Sequence, residues 1–303
     1  MSLIVTGSIG IDRVETPSGN VDEVLGGSAS YFSAAASFFG PVRLVGAVGG
    51  DFPKRFLKVY EHFKVDLAGL ETRPQSKTFR WTGRYHQDLN VRDTLSVQLN
   101  VLAERLPAVP AAFRDSRYIF LANTHPAGQL ELLANFPKHR LTVADTMDLW
   151  INNERPTLLK LLKKIDGLVL NDSETKLLTG ESNLLCGAQA VMRMGPRFVV
   201  VKKGEHGALL VSKQGAVALP AWPTPRVIDP TGAGDSFAGG MMGYLASLRA
   251  NALAPAALKR AIAYGTVAAS FTIEDFSLGR LMKLKRRQID QRLHQYAAML
   301  KLT

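Results

Sequence analysis

The sequence predicts an α/β fold, with a doubly wound and mainly parallel sheet, helices on both faces of that sheet, and a small additional β-sheet. From residue 115 onward, short apolar runs typical of buried strands alternate with stretches of helical periodicity. Alternation of this kind indicates a parallel sheet that is covered on both sides. With 303 residues, 46% of them apolar, the chain is long enough for one such domain over residues 1–303.

The first 63 residues are expected to contribute two buried strands and two helices. Apolar runs over 3–11 and 42–48 predict the strands, and the helices are expected over 31–39 and 56–63. Asp12 follows the first of these strands, and in open α/β sheets ligands bind at the carboxyl ends of strands. Asp12 is therefore a candidate ligand contact, with a plain turn residue as the alternative.

Two polar segments differ from this pattern because polar and apolar side chains alternate along them. Residues 13–25 contain a Pro-Ser-Gly turn and predict a hairpin, and residues 78–101 predict two strands joined by a turn near 88–90. These segments would form the small additional sheet. The later part of the chain returns to strand–helix alternation, with strands predicted at 118–122, 141–144, 167–170, 198–201 and 208–211 and helices near 129–135, 157–164, 173–179 and 185–194.

Composition excludes several classes of protein. No apolar run reaches the roughly 18 residues of a membrane span, and the first residues lack the basic region of a secretory signal. The single Cys186 cannot form an internal disulfide, which favours a reducing, cytoplasmic location. The net charge is +11, but the basic C-terminal segment also carries an apolar helical stripe, which indicates a solvated helix face. Nucleic acid is therefore not the expected partner, although a positive field would attract an anionic nucleotide.

The strongest functional signal lies in residues 227–248, where a turn containing Pro and Gly runs into an amphipathic helix that is expected to begin near Asp235. The first amides of a helix are unpaired and form an anion site, and the small residues Gly232, Ala233 and Gly234 would let a phosphate approach the backbone. An acid is unexpected in such a loop. Beside a transferring phosphoryl group, however, the Asp235 carboxylate could take a proton from an attacking hydroxyl. Capping of the helix is the structural alternative.

The segment Asp-Pro-Thr-Gly-Ala-Gly-Asp-Ser-Phe, residues 229–237, resembles the C-terminal signature of the ribokinase-like carbohydrate kinases. This phosphofructokinase-B type family also includes nucleoside kinases, and every position of the signature is filled from 229 through 242. The resemblance implies that Asp235 is the general base and that the three preceding residues form an anion hole for the γ-phosphate of ATP.

The resemblance also implies a substrate side of the site. Asp12 would hydrogen-bond sugar hydroxyls, and residues 13–25 and 78–101 would form a lid over the sugar. Residues 26–50 resemble the N-terminal signature of the family, in which Gly26, Gly27 and Ser28 would approach the substrate. Tyr31 departs from this signature, since the family usually has Asn there. Its ring could stack on a sugar or a base, or pack in the core, so the identity of the substrate stays open.

The nucleotide side is implied in the same way. Asn171 and Glu174 fill positions that order the Mg²⁺–phosphate complex, Glu174 through water, since Mg²⁺ keeps several waters and needs few protein ligands. The alternative is a helix start capped by Ser173, with acids that favour the helix dipole. Further expected nucleotide contacts are Lys202, with Lys203 as its alternative, Gly204, Gly207, Tyr264 and Gly265.

Together these features predict an ATP- and Mg²⁺-dependent kinase that phosphorylates a hydroxyl of a sugar or sugar-containing small molecule. The chain has no Gly-x-x-x-x-Gly-Lys-Ser/Thr motif, so ATP is not expected to be held by a P-loop. A nucleoside kinase is one alternative. A non-catalytic sugar or nucleotide sensor is another, although a sensor should have lost the base or the anion hole. The resemblance leaves open a homodimer through the lid and a monovalent cation near the anion hole.

Overall fold

The computed structural model describes residues 2–248 and 251–301. Within them the strands are β1 (Leu3–Thr6), β2 (Gly10–Thr16), β3 (Gly19–Gly26), β4 (Val42–Gly49), β5 (Asp66–Arg73), β6 (Phe79–Tyr85), β7 (Arg92–Gln98), β8 (Tyr118–Leu121), β9 (Leu141–Asp145), β10 (Gly167–Asn171), β11 (Phe198–Lys202), β12 (Ala208–Ser212) and β13 (Gly215–Leu219). The helices are α1 (Ser28–Ser37), α2 (Lys54–His62), α3 (Pro126–Leu133), α4 (Asp148–Asn153), α5 (Arg155–Leu162), α6 (Asp172–Thr179), α7 (Leu184–Arg193), α8 (Ala233–Ser247), α9 (Pro255–Thr272), α10 (Gly279–Met282) and α11 (Arg286–Met299).

The main sheet has the strand order β13-β12-β11-β10-β9-β8-β1-β4-β5. All neighbouring pairs from β5 to β11 are parallel, and only β12 and β13 are added antiparallel at one edge. The predicted fold class, a mainly parallel doubly wound sheet with a small additional sheet, is therefore confirmed. β5 and β13, which were not predicted, are the two edge strands.

Successive side chains along each central strand point to opposite faces of the main sheet, so each strand contributes to two buried clusters. Leu3 and Val5 belong to one buried cluster, which the strands share with α1, α2 and α8 to α11. Ile4 belongs to the other cluster, which is shared with α3 to α7. Helices thus cover both faces, as parallel strands require. No helix in the described part of the chain is both long enough and apolar enough to span a membrane.

The second sheet has the order β3-β2-β6-β7. It corrects the prediction of one strand over 3–11, because the run is divided between β1 of the main sheet and β2 of the second sheet. The break occurs where the Ser8 carbonyl accepts a hydrogen bond from Ala29 N of α1 at 3.0 Å. The prediction that Asp12 follows the first strand was wrong for the same reason, since Asp12 lies inside β2.

Helices α1 and α8 pack closely and carry the two glycine-containing loops. Gly239 of α8 lies against the Phe32 carbonyl, where a Cβ would come within 2.4 Å, and Gly243 lies against Ala36 in the same way. α8 begins at Ala233 and α1 at Ser28, slightly earlier than expected. The Gly26–Gly27 turn and the 229–235 loop are therefore held on one rigid pair of helices.

Candidate active site

The loop before α8 has a backbone that requires glycine. Gly232 is the N-cap of α8 and has φ 73°, in the left-handed region. A Cβ at Gly232 would also come within 2.3 Å of the Tyr31 ring. Asp229 Oδ1 accepts from Thr231 N at 2.8 Å and so fixes the start of the turn, while Ala233 N donates to the Pro230 carbonyl at 3.1 Å. The first turn of α8, with no Cβ at Gly232 or Gly234, can approach an anion.

The structure brings Asp12 and Asp235 close enough for their charges to interact, although they are far apart in the sequence; the region between them is called the pocket below. Burial raises the pKa of Asp12 to about 8, with further contributions from the negative charges of Asp229 and Asp235. Burial likewise raises the pKa of Asp235 to about 7, and the charge of Asp145 adds to this, while Lys202 and Arg92 oppose it. The pocket therefore contains several carboxyl groups that share a small amount of positive charge.

The Asp12 carboxyl group packs against the glycines that precede α1. A Cβ on Gly26 would lie 1.8 Å from Asp12 Oδ2, and the nearby Gly27 amide lowers the pKa of Asp12, against the larger effect of burial. Gly27 has φ 91°, again in the left-handed region. The Ser28 hydroxyl pairs with that of Ser8 at 3.0 Å, so it links the segment after β1 to the start of α1.

Asn171 and Glu174 form a capping box at the start of α6. Asn171 Oδ1 accepts from Glu174 N, and Glu174 Oε2 accepts from Asn171 N, each at 2.7 Å. Asn171, not Ser173, is thus the cap. Burial raises the pKa of Glu174 to about 7, against the lowering effect of Lys202 and with a further raising effect of Asp145. Glu174 therefore takes part in the capping of α6 and also belongs to a group of acids around Lys202, formed by Asp145, Glu174 and Asp235, which is called the carboxyl cluster below.

Lys202 lies at the centre of the carboxyl cluster. Its Nζ is 3.4 Å from Asp145 Oδ2 and 3.0 Å from the position that a Cβ of Gly234 would take. Burial lowers the pKa of Lys202, but the charges of Asp145, Glu174 and Asp235 outweigh it and raise the pKa above its ordinary value. The ammonium group therefore stays charged directly beside the anion loop.

Asp145 was not singled out from the sequence. It ends β9, and the neighbouring strands β10 and β11 end at Asn171 and Lys202. Because the carboxyl ends of parallel strands meet at the same edge of a sheet, these three side chains converge there. An acid directly after the apolar run 141–144 was the signal that could have identified Asp145.

The carboxyl cluster suits a Mg²⁺–nucleotide complex by its charge. Glu174 and Asp145 are buried acids with raised pKa values, so an added cation would be bound favourably. Among residues 2–248 and 251–301, no three His, Cys, Asp or Glu side chains are grouped to hold a metal ion by themselves. A magnesium ion shared with phosphate oxygens and water needs few protein ligands.

The remaining predicted nucleotide contacts have mixed surroundings. Gly204 and Gly207 lie in the turn between β11 and β12 with φ 54° and 87°, and a Cβ on Gly207 would meet the Leu219 carbonyl at 2.1 Å. Tyr264 is buried in the α8–α9 interface, where its hydroxyl donates to Asp290 at 3.1 Å. Gly265 packs against Phe237. Tyr264 is therefore part of the core and is not directed at the carboxyl cluster.

The second sheet faces this pocket. In the strand register Asp12 is paired with Trp81, and Tyr85 is paired with Arg92. Paired residues share a face, and Trp81 and Tyr85 are four positions apart on β6, so all four side chains lie on one face of that sheet. Thr231 Oγ1 and the Tyr85 hydroxyl are 3.3 Å apart. At the tip of the β6–β7 hairpin, Asn90 Nδ2 donates to Glu205 Oε1 at 3.2 Å. The sheet thus contacts the main body at the anion loop and at the turn after β11.

Comparison with known proteins identifies the family and the fold of this chain. Residues 2–283 match the family model described as pfkB family carbohydrate kinase. The cytidine kinase of Thermococcus kodakarensis is 29% identical over 247 residues, which cover 80% of this chain and 87% of that protein.

Two solved structures resemble the whole chain. Aminoimidazole riboside kinase from Salmonella enterica, complexed with aminoimidazole riboside and an ATP analog, has a TM-score of 0.77 at 20% identity and covers 97% of this chain and 100% of its own. The nucleoside kinase of Burkholderia thailandensis in complex with inosine has a TM-score of 0.75 at 18% identity, covering 97% of each chain. These likenesses establish the fold.

Proposed function

The chain belongs to the pfkB family of carbohydrate kinases and is an ATP-dependent phosphotransferase; from this premise we propose that Asp235 is its general base and that the acceptor is a hydroxyl of a ribose-containing compound, with a nucleoside as the favoured class. The observation that carries the proposal is that Asp12 and Asp235, which lies in the first turn of α8, are close enough for the charge of Asp235 to raise the pKa of Asp12. One carboxyl group can hold an acceptor while the other deprotonates it.

Each residue of the pocket has a separate role in the proposed phosphoryl transfer. Asp12 accepts hydrogen bonds from acceptor hydroxyls, and this places the reacting hydroxyl near Asp235. The Asp235 carboxylate takes the hydroxyl proton as the oxygen attacks the γ-phosphorus. The amides at the start of α8 and the Lys202 ammonium stabilise the negative charge on the phosphoryl oxygens. Mg²⁺, held by Glu174 through water and by the phosphates, would supply further neutralisation of that charge.

The second sheet acts as a lid in this proposal. Its contacts through Tyr85 with Thr231 and through Asn90 with Glu205 join it to the main body on two sides of the anion loop. Exclusion of water matters for a kinase, because water is itself an acceptor of the γ-phosphoryl group. The lid also carries Arg92, whose positive charge lowers the pKa of Asp235 and so would add positive charge to the site.

Two observations favour a nucleoside over a free sugar. Trp81 and Tyr85 lie on the face of the lid that carries Asp12, and aromatic side chains there can cover a base. The curated relative is a cytidine kinase, and the two structures described above hold ribosides. A free sugar is the second candidate, favoured by the match to the carbohydrate kinase model.

A substrate panel with the Asp235→Asn variant tests the proposal. ADP release is measured with ATP, Mg²⁺ and each of a set of nucleosides and free sugars, and KCl is compared with choline chloride to test the monovalent cation. Loss of a general base is expected to lower kcat by about 10²–10⁴-fold with little change in nucleotide affinity. Turnover of Asp235→Asn within tenfold of wild type would contradict the role of Asp235. Binding without any turnover by the wild type would support the sensor.

The lid also supports a homodimer as a proposal. Four apolar side chains of β7 and its flanks, Val91, Leu95, Val97 and Leu99, are each 43% to 49% exposed. Val97 pairs with Trp81 on the pocket face, whereas Leu95, at the irregularity in the β6–β7 register, would be covered by a second copy of the lid. Sedimentation of wild type and Leu95→Glu tests this: a dimer that the substitution dissociates is expected, and a monomeric wild type overturns it.

A further inference from the structure

Two buried polar atoms at the acceptor end of the pocket have no hydrogen-bond partner in the described part of the chain. They are the hydroxyl oxygen of Tyr31 and Oδ1 of Asp12. The two residues are 1% and 4% exposed, so bulk water does not satisfy them. Both residues adjoin the Gly26–Gly27 turn, since Asp12 Oδ2 lies against Gly26 and Tyr31 N donates to the Gly27 carbonyl at 3.3 Å.

Such atoms need a reason, because most buried polar groups in folded proteins are hydrogen-bonded and an unsatisfied one is costly. Tyr60, which packs in the same core, shows the usual situation: its hydroxyl is 2.8 Å from Ser30 Oγ. Asp12 and Tyr31 lie instead beside Asp229 and Tyr85, in the pocket that also contains Asp235. A ligand is the natural partner for both atoms.

The chemistry of the two atoms defines that ligand. Burial and the charges of Asp229 and Asp12 hold the pKa of the Tyr31 hydroxyl well above its ordinary value, so this group is a donor. The Asp12 carboxyl group, whose pKa is raised to about 8, keeps acceptor capacity in either protonation state. A hydroxyl group is a small ligand group that accepts from one and donates to the other at the same time.

The position of the Tyr31 hydroxyl is fixed by packing. Its ring occupies the space in which Gly232 has no Cβ, and the residue is enclosed in α1 with its neighbours buried. Ser277 is a protein group beside the Tyr31 hydroxyl, but the Ser277 hydroxyl donates to the Leu25 carbonyl, and no hydrogen bond joins it to Tyr31.

We propose that Tyr31 determines acceptor specificity: its hydroxyl donates to a secondary hydroxyl of the acceptor, whose own proton is bonded by Asp12. The pocket then selects compounds with a hydroxyl next to the phosphorylated arm, such as ribonucleosides, and rejects the deoxy analogues. This inference deepens the proposed function and rests on it.

The test is a cycle of enzyme and substrate variants. kcat/KM and nucleoside Kd are measured for cytidine, 2′-deoxycytidine and 3′-deoxycytidine with wild type and Tyr31→Phe. We expect the wild type to reject one deoxy analogue by about 10²-fold or more, since a site built around a hydroxyl rejects its absence strongly. Tyr31→Phe should lower kcat/KM for cytidine by about 2- to 10-fold, the worth of one hydrogen bond, and leave kcat/KM for that deoxy analogue nearly unchanged.

Tyr60→Phe is the matched control, because it removes a buried but already paired hydroxyl. It should lower Tm and leave the ratio of cytidine to deoxycytidine unchanged, whereas Tyr31→Phe should change the ratio and leave the Tm of the ligand-free protein the same or higher. If Tyr31→Phe weakens cytidine and both deoxy analogues equally, or if the wild type binds all three alike, the proposal is overturned. Discrimination in Kd without turnover would instead remove the proposed function and keep the role of Tyr31.

Discussion

The substitution Asp235→Asn is expected to make the ligand-free protein more stable at alkaline pH, although it removes the proposed base. The Asp235 carboxyl is more than half buried, with a pKa of about 7 in the folded protein against an ordinary value of 3.8. Between these values the folded chain holds a proton that the unfolded chain has released. By linkage, stability therefore falls as pH rises from about 4 to 7, and the loss is complete above the folded pKa. Asparagine does not ionise, so the variant escapes this loss.

The magnitude follows from the two pKa values. A rise from 3.8 to about 7 corresponds to at most ~4 kcal/mol of lost stability above pH 7. Roughly 2 to 3 kcal/mol of this develops between pH 5 and 8, which for a chain of this length is about 5 °C in Tm. The Asp235 charge also raises the pKa of Asp12. Removing that charge makes ionised Asp12 less unfavourable in the folded protein, so this effect also stabilises the variant at alkaline pH.

Thermal unfolding of the ligand-free protein at pH 5 and pH 8 measures this effect. Asp66→Asn is the control: Asp66 is exposed at the start of β5, and its Oδ1 accepts from Ala68 N, a bond that asparagine keeps. The difference in Tm between each variant and wild type cancels the pH dependence of the other groups. If Asp235→Asn gains no more between pH 5 and 8 than Asp66→Asn does, the carboxyl is not held in an unfavourable site and the reasoning is refuted.

Two further predictions concern the anion loop. Lys202→Met should lower kcat/KM by about 10²-fold, the order reported for removing one group that stabilises transition-state charge, and steady-state kinetics should show no such loss for the exposed Lys213→Met. Gly232→Ala and Gly180→Ala impose similar backbone strain, with φ of 73° and 77°, but only Gly232 faces a ring at 2.3 Å while nothing lies within 4 Å of the other. Urea unfolding should therefore show a loss of about 1 kcal/mol for Gly180→Ala and a clearly larger loss for Gly232→Ala, and equal losses would contradict the close contact with Tyr31.

The central strands could be predicted because strands buried on both faces read as continuous apolar runs. β5 and β13 were missed because edge strands are partly solvated, and Asp66–Arg73 accordingly mixes charged and apolar residues. The division of residues 3–11 could not be read from hydrophobicity, since both halves are apolar. It depends on the contact of Ser8 with Ala29 of α1, which only tertiary structure creates.

The candidate site shows the same limit. The loop that ends at Asp235 is a local motif, so a stretch of about ten residues was enough to propose an anion site and a base. The ion pair of Asp145 with Lys202 joins positions 57 residues apart, so no local sequence pattern could predict it. Tyr31 was recognised as a departure from a signature, but its place against Gly232 requires two segments that lie about two hundred residues apart in the chain.

The contact between Tyr31 and Gly232 also explains how the two ends of the site are kept in register. Tyr31 belongs to α1, which follows the glycines that seat Asp12, and Gly232 begins the helix that carries Asp235. A transfer reaction needs the acceptor oxygen and the base placed to within fractions of an ångström. Because α1 and α8 are locked by glycine-to-backbone packing, and the aromatic ring fills the gap at their N-terminal ends, the base and the glycine turn before α1 are held in place before any ligand binds. Asp12 itself lies in β2 of the second sheet, so closure of that sheet would both exclude water and set the distance between acceptor and base.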